Sequence, residues 1–408
     1  MKAAPKPVRR SADIFEKCHQ YTAAREVMEQ GLYPFFQPIE RSMDTEVIIR
    51  GERKIMVGSN NYLGLTHHPY VLERSKAAMD RYGSGCTGSR FLNGTLDLHE
   101  ELEERLATFM GQEAALVFST GYQTNLGVIS SLVGRGGVVI QDKLNHASLV
   151  DGGMLSPGEM VRYPHGDVRV LRRALERHAD APGGVLVVTD GVFSMEGNIV
   201  DLPTLAPLVA EYGARLMVDD AHSVGVLGPK GGGTAQHYDM EDQVDLTMAT
   251  FSKSFASIGG AIAGPAEVLH YLKHHARSLI FSASMPPASL ATVLACLDVM
   301  EREPELRERL WQNATYLRNG LRSVGFDTVT SATPIIPVVT GDMIQTFTVW
   351  RHLFDAGVFT NPVLPPAVPD SSCRLRTSVM ATHTRDQLDQ VLDVFTSVGR
   401  SLGIIPGG

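Results

Sequence analysis

The residue with the clearest chemical potential is a lysine at the end of an apolar run. Lys253 lies in the segment 249–254, which reads Ala-Thr-Phe-Ser-Lys-Ser and is followed by Gly259 and Gly260. A lysine at the end of a buried strand can have a lowered pKa and can then form a Schiff base with an aldehyde. Because most lysines are surface charges, Lys253 alone does not define a site.

Two adjacent carboxylates form a second polar cluster. Asp219 and Asp220 follow the apolar run 214–218, and His222 comes soon after them. A carboxylate buried at a strand end needs a cationic partner, and a protonated pyridine nitrogen would serve. Asp and His are also metal ligands, but no second histidine or carboxylate pair with metal-binding spacing stands nearby. The pattern therefore favours a pyridine cofactor over a metal.

Three further clusters contain residues that suit such a cofactor. Gly121 and Tyr122 lie where an apolar run meets a helix, and bare backbone amides there suit a phosphate, although an ordinary turn is the commoner explanation. His146, in the segment 145–148, could stack on a planar ring or be a satisfied loop histidine. Ser194, in the segment 190–197, could hydrogen-bond a ring substituent.

All five clusters follow predicted strands. The strands are short runs rich in Val, Leu and Ile, as expected for strands buried on both faces, at 114–118, 137–140, 185–188, 214–218 and 246–249. Amphipathic helices alternate with them, and Asp97 and Glu100 are predicted to cap the helix that carries Leu98, Leu102 and Leu106 on one face. This alternation predicts an α/β fold whose mostly parallel sheet binds its ligand at the carboxyl edge.

The sequence predicts a second, smaller domain after about residue 286. Its elements are a long charged helix at 301–324, an apolar segment at 335–339, a helix at 343–356, a strand at 373–379 and an amphipathic helix at 388–402. We expect an N-terminal segment (1–55), a large cofactor-binding domain (56–290) and a small α+β domain (291–408). The N-terminal segment is predicted to belong with the small domain or to lie across a partner subunit. Its basic start, residues 1–10, is predicted to be a frayed arm.

Composition narrows the function classes. The formal net charge of -8 gives no electrostatic reason to expect nucleic acid binding. No run approaches the roughly 20 apolar residues that span a bilayer. Cys18, Cys86, Cys296 and Cys373 are far apart, which argues against a disulfide framework or a zinc site and fits a reduced, cytoplasmic setting.

Taken together, these stretches resemble the α-oxoamine synthases, a branch of the fold-type I pyridoxal 5'-phosphate (PLP) enzymes. The resemblance covers about residues 31–403 and is carried by the segments 59–65, 83–95, 145–148, 219–222 and 250–253. It implies an aspartate-aminotransferase-like fold, PLP as the cofactor, and a homodimer with shared active sites. It also implies the decarboxylative condensation of an amino acid with an acyl-CoA.

The resemblance implies a role for each residue around the cofactor ring. Lys253 forms the Schiff base with PLP and then moves protons, and Asp219 pairs with the pyridine nitrogen. His222 hydrogen-bonds the phenolic oxygen, His146 stacks on the ring, and Ser194 lies beside a ring substituent.

Other residues are implied to hold the phosphate and the substrates. Gly121, Tyr122 and Thr250 hold the phosphate, with Ser282 or Ser284 contributed by the other subunit. Arg376 clamps the substrate carboxylate, a task that suits a planar bidentate donor, although a surface strand charge is the alternative. Asn61 lies near the entrance for substrate or CoA.

Three segments favour the family members that use serine and palmitoyl-CoA for sphingolipid biosynthesis, namely 31–40, 250–254 and 364–369. The soluble bacterial members of that subgroup have an arginine where this chain has Leu364. Members that join alanine to a pimeloyl thioester, or glycine to an acetyl group, remain alternatives, and a catalytically inactive regulatory homologue is the alternative outside enzymes. A long-chain product would partition into lipid, which leaves peripheral membrane contact open.

Overall fold

The computed structural model describes residues 11–407, so the arm predicted for residues 1–10 lies outside the described residues. Its strands are β1 Arg41–Met43, β2 Glu46–Ile49, β3 Glu52–Met56, β4 Ala114–Phe118, β5 Val138–Asp142, β6 Glu159–Tyr163, β7 Val185–Asp190, β8 Arg215–Asp219, β9 Leu246–Thr250, β10 Gly260–Gly264, β11 Ile335–Gly341, β12 Val358–Phe359, β13 Asn361–Val363 and β14 Cys373–Ser378.

The helices that connect and cover the strands are α1 Glu16–His19, α2 Ala23–Glu29, α3 Pro69–Tyr82, α4 Asp97–Phe109, α5 Gly121–Leu132, α6 Ala147–Leu155, α7 Val168–Arg177, α8 Leu202–Glu211, α9 Thr234–His237, α10 Ala266–His275, α11 Arg277–Ile280, α12 Pro287–Arg302, α13 Glu305–Ser323, α14 Met343–Asp355 and α15 Arg385–Ser401. Three short 3-10 turns lie at Leu65–His67, Glu241–Gln243 and Asp370–Ser372. No helix within residues 11–407 is both long enough and apolar enough to cross a bilayer.

The central sheet has the order β4-β10-β9-β8-β7-β5-β6, and every strand in it except β10 runs parallel to the rest. The five predicted strands are all present, which confirms the mostly parallel α/β sheet. The sequence analysis missed β6 and β10. Strand β10 reads Gly-Ala-Ile-Ala-Gly and has a single branched residue, Ile262, among small ones. Gly260 packs against α5 too closely for any side chain. A Cβ on Gly260 would lie 2.6 Å from the Cα of Gly121.

The predicted cap of α4 is wrong in detail. The Nδ1 atom of His99 accepts a hydrogen bond of 3.0 Å from the amide of Leu96, the residue before the helix, and His99 is fully buried. Asp97 and Glu100 lie in the first turn, where their charges favour the helix dipole. The buried imidazole therefore takes the capping position that the sequence pattern assigned to an acidic residue.

The smaller domain combines the two ends of the chain. One sheet has the order β1-β2-β3-β12, with β3 parallel to β12, and the other has the order β11-β14-β13. Residues 41–56 therefore pair with the C-terminal part of the chain, as one of the two predicted alternatives proposed. The long charged helix predicted for 301–324 is present as α13, but it starts four residues later, because α12 ends at Arg302 and the chain turns at Glu303 and Pro304. The division into domains at residue 290 stays a prediction.

Candidate active site

A cavity of about 320 Å³ lies at the carboxyl ends of β4, β5, β7, β8 and β9. This is the edge where parallel α/β sheets place their ligands. The cavity lining includes eight residues that the sequence analysis selected: Gly121, Tyr122, His146, Ser194, Asp219, His222, Thr250 and Lys253. Parallel strands bring them together because each follows its strand at the same sheet edge.

Lys253 stands just beyond β9 in a tight turn. The amide of Ala256 donates to the Lys253 carbonyl at 2.9 Å, and the turn closes at Gly259, whose φ of +128° suits only glycine. Burial lowers the pKa of the Lys253 ammonium to about 8, although Asp219 opposes the shift. Within residues 11–407 the amine has no salt bridge or hydrogen bond, so it is available for chemistry in the cavity.

The two adjacent carboxylates divide into one that faces the cavity and one that holds the fold. Asp219 is buried, and its two oxygens accept from the amide of Ala221 at 3.0 Å and from Asn125 Nδ2 at 2.7 Å. Asp220 accepts from the amide and hydroxyl of Thr234, and burial raises its pKa to about 6. Asp219 has no salt bridge in the described part of the chain, which leaves its charge free for a cationic ligand atom.

His222 belongs to a buried chain of polar side chains that leads to Arg376. Its Nδ1 lies 2.6 Å from the hydroxyl of Tyr62, which also accepts from Arg376 Nη2 at 3.4 Å. Burial and the charge of Lys253 hold the pKa of His222 well below its usual value, so the ring is neutral. With the Tyr62 proton available to Nδ1, the ring proton lies on Nε2, where His222 can act as a hydrogen-bond donor in the cavity.

The two arginines of β14 have different surroundings. Arg374 is engaged by Ser372 through hydrogen bonds of 3.1 and 3.2 Å, and its Nη1 lies 3.8 Å from Glu196. Arg376 donates from Nε to the carbonyl of Ser194 at 2.7 Å and has no acidic partner within residues 11–407. Arg376 is buried and does not line the cavity itself, but Ser194 and Tyr62 connect it to the cavity residues. Of the two, Arg376 is the guanidinium whose charge is still unpaired.

The start of α5 forms an anion cradle. The amides of Gly121 and Tyr122 are in the first helical turn and therefore have no acceptor within the helix. Thr120 caps the helix by accepting from the Gln123 amide at 3.1 Å. A Cβ on Gly121 would lie 2.6 Å from the hydroxyl of Thr250, so only glycine permits this approach. The cradle offers two amides and a hydroxyl to a phosphate.

These groups fit PLP. The α5 amides and Thr250 suit the phosphate, Asp219 suits a protonated ring nitrogen, and Lys253 suits the aldehyde. The glycine at position 121 lets the start of α5 approach Thr250, which brings the amides and the hydroxyl to one place. The fit therefore rests on the unpaired donors and charges of the site.

Besides Arg376, three predicted residues do not line the cavity of the single protomer. Asn61 uses its side chain within its own loop, donating to Thr66 at 2.8 Å and accepting from the Leu65 amide at 3.1 Å. Ser282 accepts from Gln123 Nε2 at 2.9 Å, and the buried hydroxyl of Ser284 has no partner among the described residues. Their assignments to substrate and to the partner's phosphate remain predictions.

Four polar residues of the site were not selected from the sequence: Tyr62, Asn125, Ser148 and Asp190. The carboxylate of Asp190 accepts from the His146 amide at 3.2 Å, and burial together with Asp219 raises its pKa well above the usual value. Each of the four stands inside or next to a segment that the sequence analysis had singled out. Their proximity to those motifs was the available signal, but Asn and Ser in a helix have no chemical signature of their own.

Comparison with known proteins defines the class. The profile of the aminotransferase class I and II family matches residues 52–395, so the chain belongs to that family. It is a PLP-dependent enzyme of the α-oxoamine synthase branch with the fold-type I architecture.

Its relatives are more specific. The serine palmitoyltransferase of Sphingobacterium spiritivorum is 49% identical over 94% of this chain and 96% of that protein. The 8-amino-7-oxononanoate synthase of Geobacter sulfurreducens is 45% identical over 93% of this chain and 98% of that protein. A solved structure of serine palmitoyltransferase with PLP as internal aldimine superimposes with a TM-score of 0.92 at 38% identity, covering 96% of this chain and 98% of that chain.

Proposed function

We propose that this chain is a serine palmitoyltransferase, which joins L-serine to palmitoyl-CoA and gives 3-ketodihydrosphingosine, CoA and CO2. The observation that carries the proposal is the near-complete similarity to a relative of that name, in both sequence and structure. The unpaired Lys253, Asp219 and Arg376 supply the groups that the reaction needs.

The reaction forms one carbon–carbon bond and breaks three bonds, namely the Cα–H bond of serine, the C–S bond of the thioester and the bond from Cα to the carboxylate. The Cα of serine becomes bonded to the acyl carbon of the thioester, and CoA leaves as the thiol. The serine carboxylate leaves as CO2, and a proton takes its place on Cα. PLP, when bound, supplies an electron sink that stabilises negative charge at this carbon.

The residues of the chain bind, orient and move protons around that carbon. The Nζ atom of Lys253 takes the Cα proton and later returns one, and its pKa of about 8 keeps part of the amine neutral near neutral pH. When PLP is bound, Asp219 would hold its ring nitrogen in the protonated form, and the Nε2 atom of His222 would donate a hydrogen bond to its phenolic oxygen. Arg376 binds the serine carboxylate and orients it by a bidentate contact.

A second candidate function is that of an 8-amino-7-oxononanoate synthase, with L-alanine and a pimeloyl thioester as substrates. Two observations favour it: the 45% identity to the Geobacter relative, and Leu364 in the loop where the resemblance of this chain to the palmitoyltransferases calls for arginine. Leu364 is only half-buried, so it can contact a bound substrate without disturbing the core.

The proposal includes a homodimer in which Ser282 or Ser284 reaches the partner's phosphate site. The adjacent Phe281 is 73% exposed in the protomer, and Leu92 is 78% exposed, so this face carries apolar side chains that a second subunit would cover. The four free cysteines fit the cytoplasmic setting proposed from the sequence. Peripheral contact of the long-chain product with a membrane is also part of the proposal.

The deciding experiment measures CoA thiol release and product mass for serine, alanine and glycine, each with acetyl-CoA, pimeloyl-CoA and palmitoyl-CoA. We expect turnover with serine and palmitoyl-CoA and a product with the mass of 3-ketodihydrosphingosine. Turnover only with alanine and pimeloyl-CoA would assign the second function. No turnover with any pair, despite a bound cofactor, would point to the inactive regulatory homologue.

A further inference from the structure

A backbone amide fixes the proton position of His146. The residue caps α6, and its Nδ1 accepts from the amide of Ser148 at 3.2 Å while the Ser148 hydroxyl lies 2.7 Å from the same atom. An amide can only donate, so Nδ1 must be an acceptor and the neutral ring must carry its proton on Nε2. Within residues 11–407, Nε2 has no hydrogen-bond partner.

The Ser148 hydroxyl is itself oriented by a buried amide. Asn125 Nδ2 donates both to the Ser148 hydroxyl at 2.9 Å and to Asp219 Oδ2 at 2.7 Å, and the side chain of Asn125 is fully buried. The reversed amide would bring the Asn125 carbonyl oxygen against the Asp219 carboxylate, so this orientation is the one the charges select. Because Ser148 accepts from Asn125, its own proton is free to be donated to His146.

We propose that Asn125 and Ser148 are positioning residues that hold His146 as the neutral tautomer with its proton on Nε2 and link it to Asp219. The inference rests on the proposed function, in which His146 would stack on the face of the cofactor ring and Asp219 would pair with the ring nitrogen at its edge. A single hydrogen-bonded chain therefore runs from Asp219 through Asn125 and Ser148 to His146. This chain orients both Asp219, the proposed partner of the ring nitrogen, and His146, the proposed stacking residue. A donor on Nε2 is then available in the cavity in every turnover.

The charges around His146 determine the sign of the expected effect. Burial lowers the pKa of His146, Asp219 and Asp151 oppose that shift, and Lys253 adds to it. The titratable groups that face the ring or its backbone are Tyr122 on α5, Asp151 on α6, Asp190 at the end of β7, Asp219 at the end of β8, His222 after β8, and Lys253 after β9. The Ser148 hydroxyl donates to Nδ1 and so stabilises the neutral ring. Its removal must therefore raise the pKa of His146.

The test follows His146 directly in the holoenzyme without substrates. Protein labelled with 15N in the imidazole nitrogens is titrated by NMR, and the His146 signals are assigned by their loss in His146→Gln. We expect Nδ1 to be unprotonated and Nε2 protonated in the unmodified protein. In Ser148→Ala the titration midpoint should rise by about half a unit to one unit, because one hydrogen bond to the neutral ring is lost. Ser148→Thr, which keeps the hydroxyl, should restore the original midpoint.

Ser130→Ala is the matched control, because the Ser130 hydroxyl bonds only to the carbonyl of Leu126 in its own helix. A proton on Nδ1 in the unmodified protein would overturn the proposal even if Ser148→Ala failed to fold. An equal midpoint in Ser148→Ala and Ser130→Ala would also overturn it. The titration uses no substrate, so its result does not depend on the condensation assay. The proposal for the His146 tautomer and the proposed function can therefore fail separately.

Discussion

The two edges of the central sheet differ in how their charged side chains are surrounded. At the carboxyl edge, Asp219 is buried and has no salt bridge among the described residues, while burial and Asp219 raise the pKa of the neighbouring Asp190 and favour its neutral form. At the amino edge, Arg215 and Asp245 form a salt bridge of 2.7 Å with side chains that are 76% and 26% exposed. The amino edge also has the larger hollow, about 750 Å³ against about 320 Å³.

The difference shows that the volume of a hollow does not identify the functional site of this sheet. Solvent and a partner stabilise the charges at the amino edge, so they need no ligand. Burial without an ionic partner leaves the charges of the carboxyl edge uncompensated, and a bound cofactor with matching charges supplies the compensation. Substitutions of similar chemistry at the two edges should therefore have very different effects.

The largest effect is expected for Lys253→Ala. Within residues 11–407 no other lysine lines the cavity, so the variant should lose the absorbance of the lysine-bound cofactor, and turnover should fall on the order of 10³-fold or more. The visible spectrum and CoA release measure the two losses. The control is Lys143→Ala, which removes a lysine from the neighbouring loop after β5 and outside the cavity. An unchanged spectrum in Lys253→Ala would contradict the assignment of this residue.

The next effect compares one carboxylate from each edge. Asp219→Asn should retain some cofactor but lower kcat by about 10²-fold or more, because the ring nitrogen loses its counter-charge. Asp245→Asn should leave kcat unchanged, since its exposed pair contributes at most about 1 kcal/mol to folding. Steady-state kinetics and thermal unfolding separate the two outcomes. Similar kcat values for both variants would mean that the carboxylate at the carboxyl edge matters no more for catalysis than the one at the amino edge.

A smaller effect is expected at β14, where the unpaired arginine is compared with the engaged one. Arg376→Ala should raise the KM for the amino acid on the order of 10- to 100-fold through loss of charge-assisted hydrogen bonds to the carboxylate. Arg374→Ala, whose partners are Ser372 and Glu196, should change that KM little. The assay varies the amino acid at saturating acyl-CoA. If Arg376→Ala altered only the dependence on acyl-CoA, the carboxylate site would lie elsewhere.

Sequence patterns predicted the carboxyl edge well because its strands alternate with helices and each strand ends in a polar cluster. Every one of the five clusters lines the cavity, including the segments of Lys253, Asp219 and His146. The order of the strands in the sheet was not predicted, because nothing local to β10 indicates that it inserts antiparallel between β4 and β9. Its two glycines are explained only by close packing, of Gly260 against α5 and of Gly264 against the start of β9.

The supporting residues could not be predicted, since their roles depend on contacts between distant elements. Asn125 meets Asp219 across 94 positions of the chain, and Tyr62 meets His222 across 160. A single sequence records neither contact, and an asparagine inside a helix is equally compatible with a surface position. Residues that carry charge or bind a proton were recognisable by type, whereas residues that orient them were not.

The smallest expected effect is on the free energy of unfolding of the cofactor-free protein, and it tests whether the charge of Lys253 is uncompensated there. Its pKa is lowered from 10.5 to about 8 in the folded chain, so below pH 8 the folded state holds a poorly solvated ammonium. Between about pH 8 and pH 10.5 the unfolded chain binds more protons than the folded chain, so this residue makes stability rise with pH. Lys253→Met removes the titration, and it should be more stable than the unmodified apoprotein at pH 7 by at most about 3 kcal/mol.

That advantage should shrink as the pH rises toward 10. Urea unfolding of both apoproteins at a series of pH values measures the difference, and Lys143→Met, at the neighbouring loop outside the cavity, gives the baseline for an accessible lysine. An advantage that stayed constant with pH would mean that the ammonium is compensated in the apoprotein. In that case the contrast between the edges would depend on the bound cofactor and not on the folded chain alone.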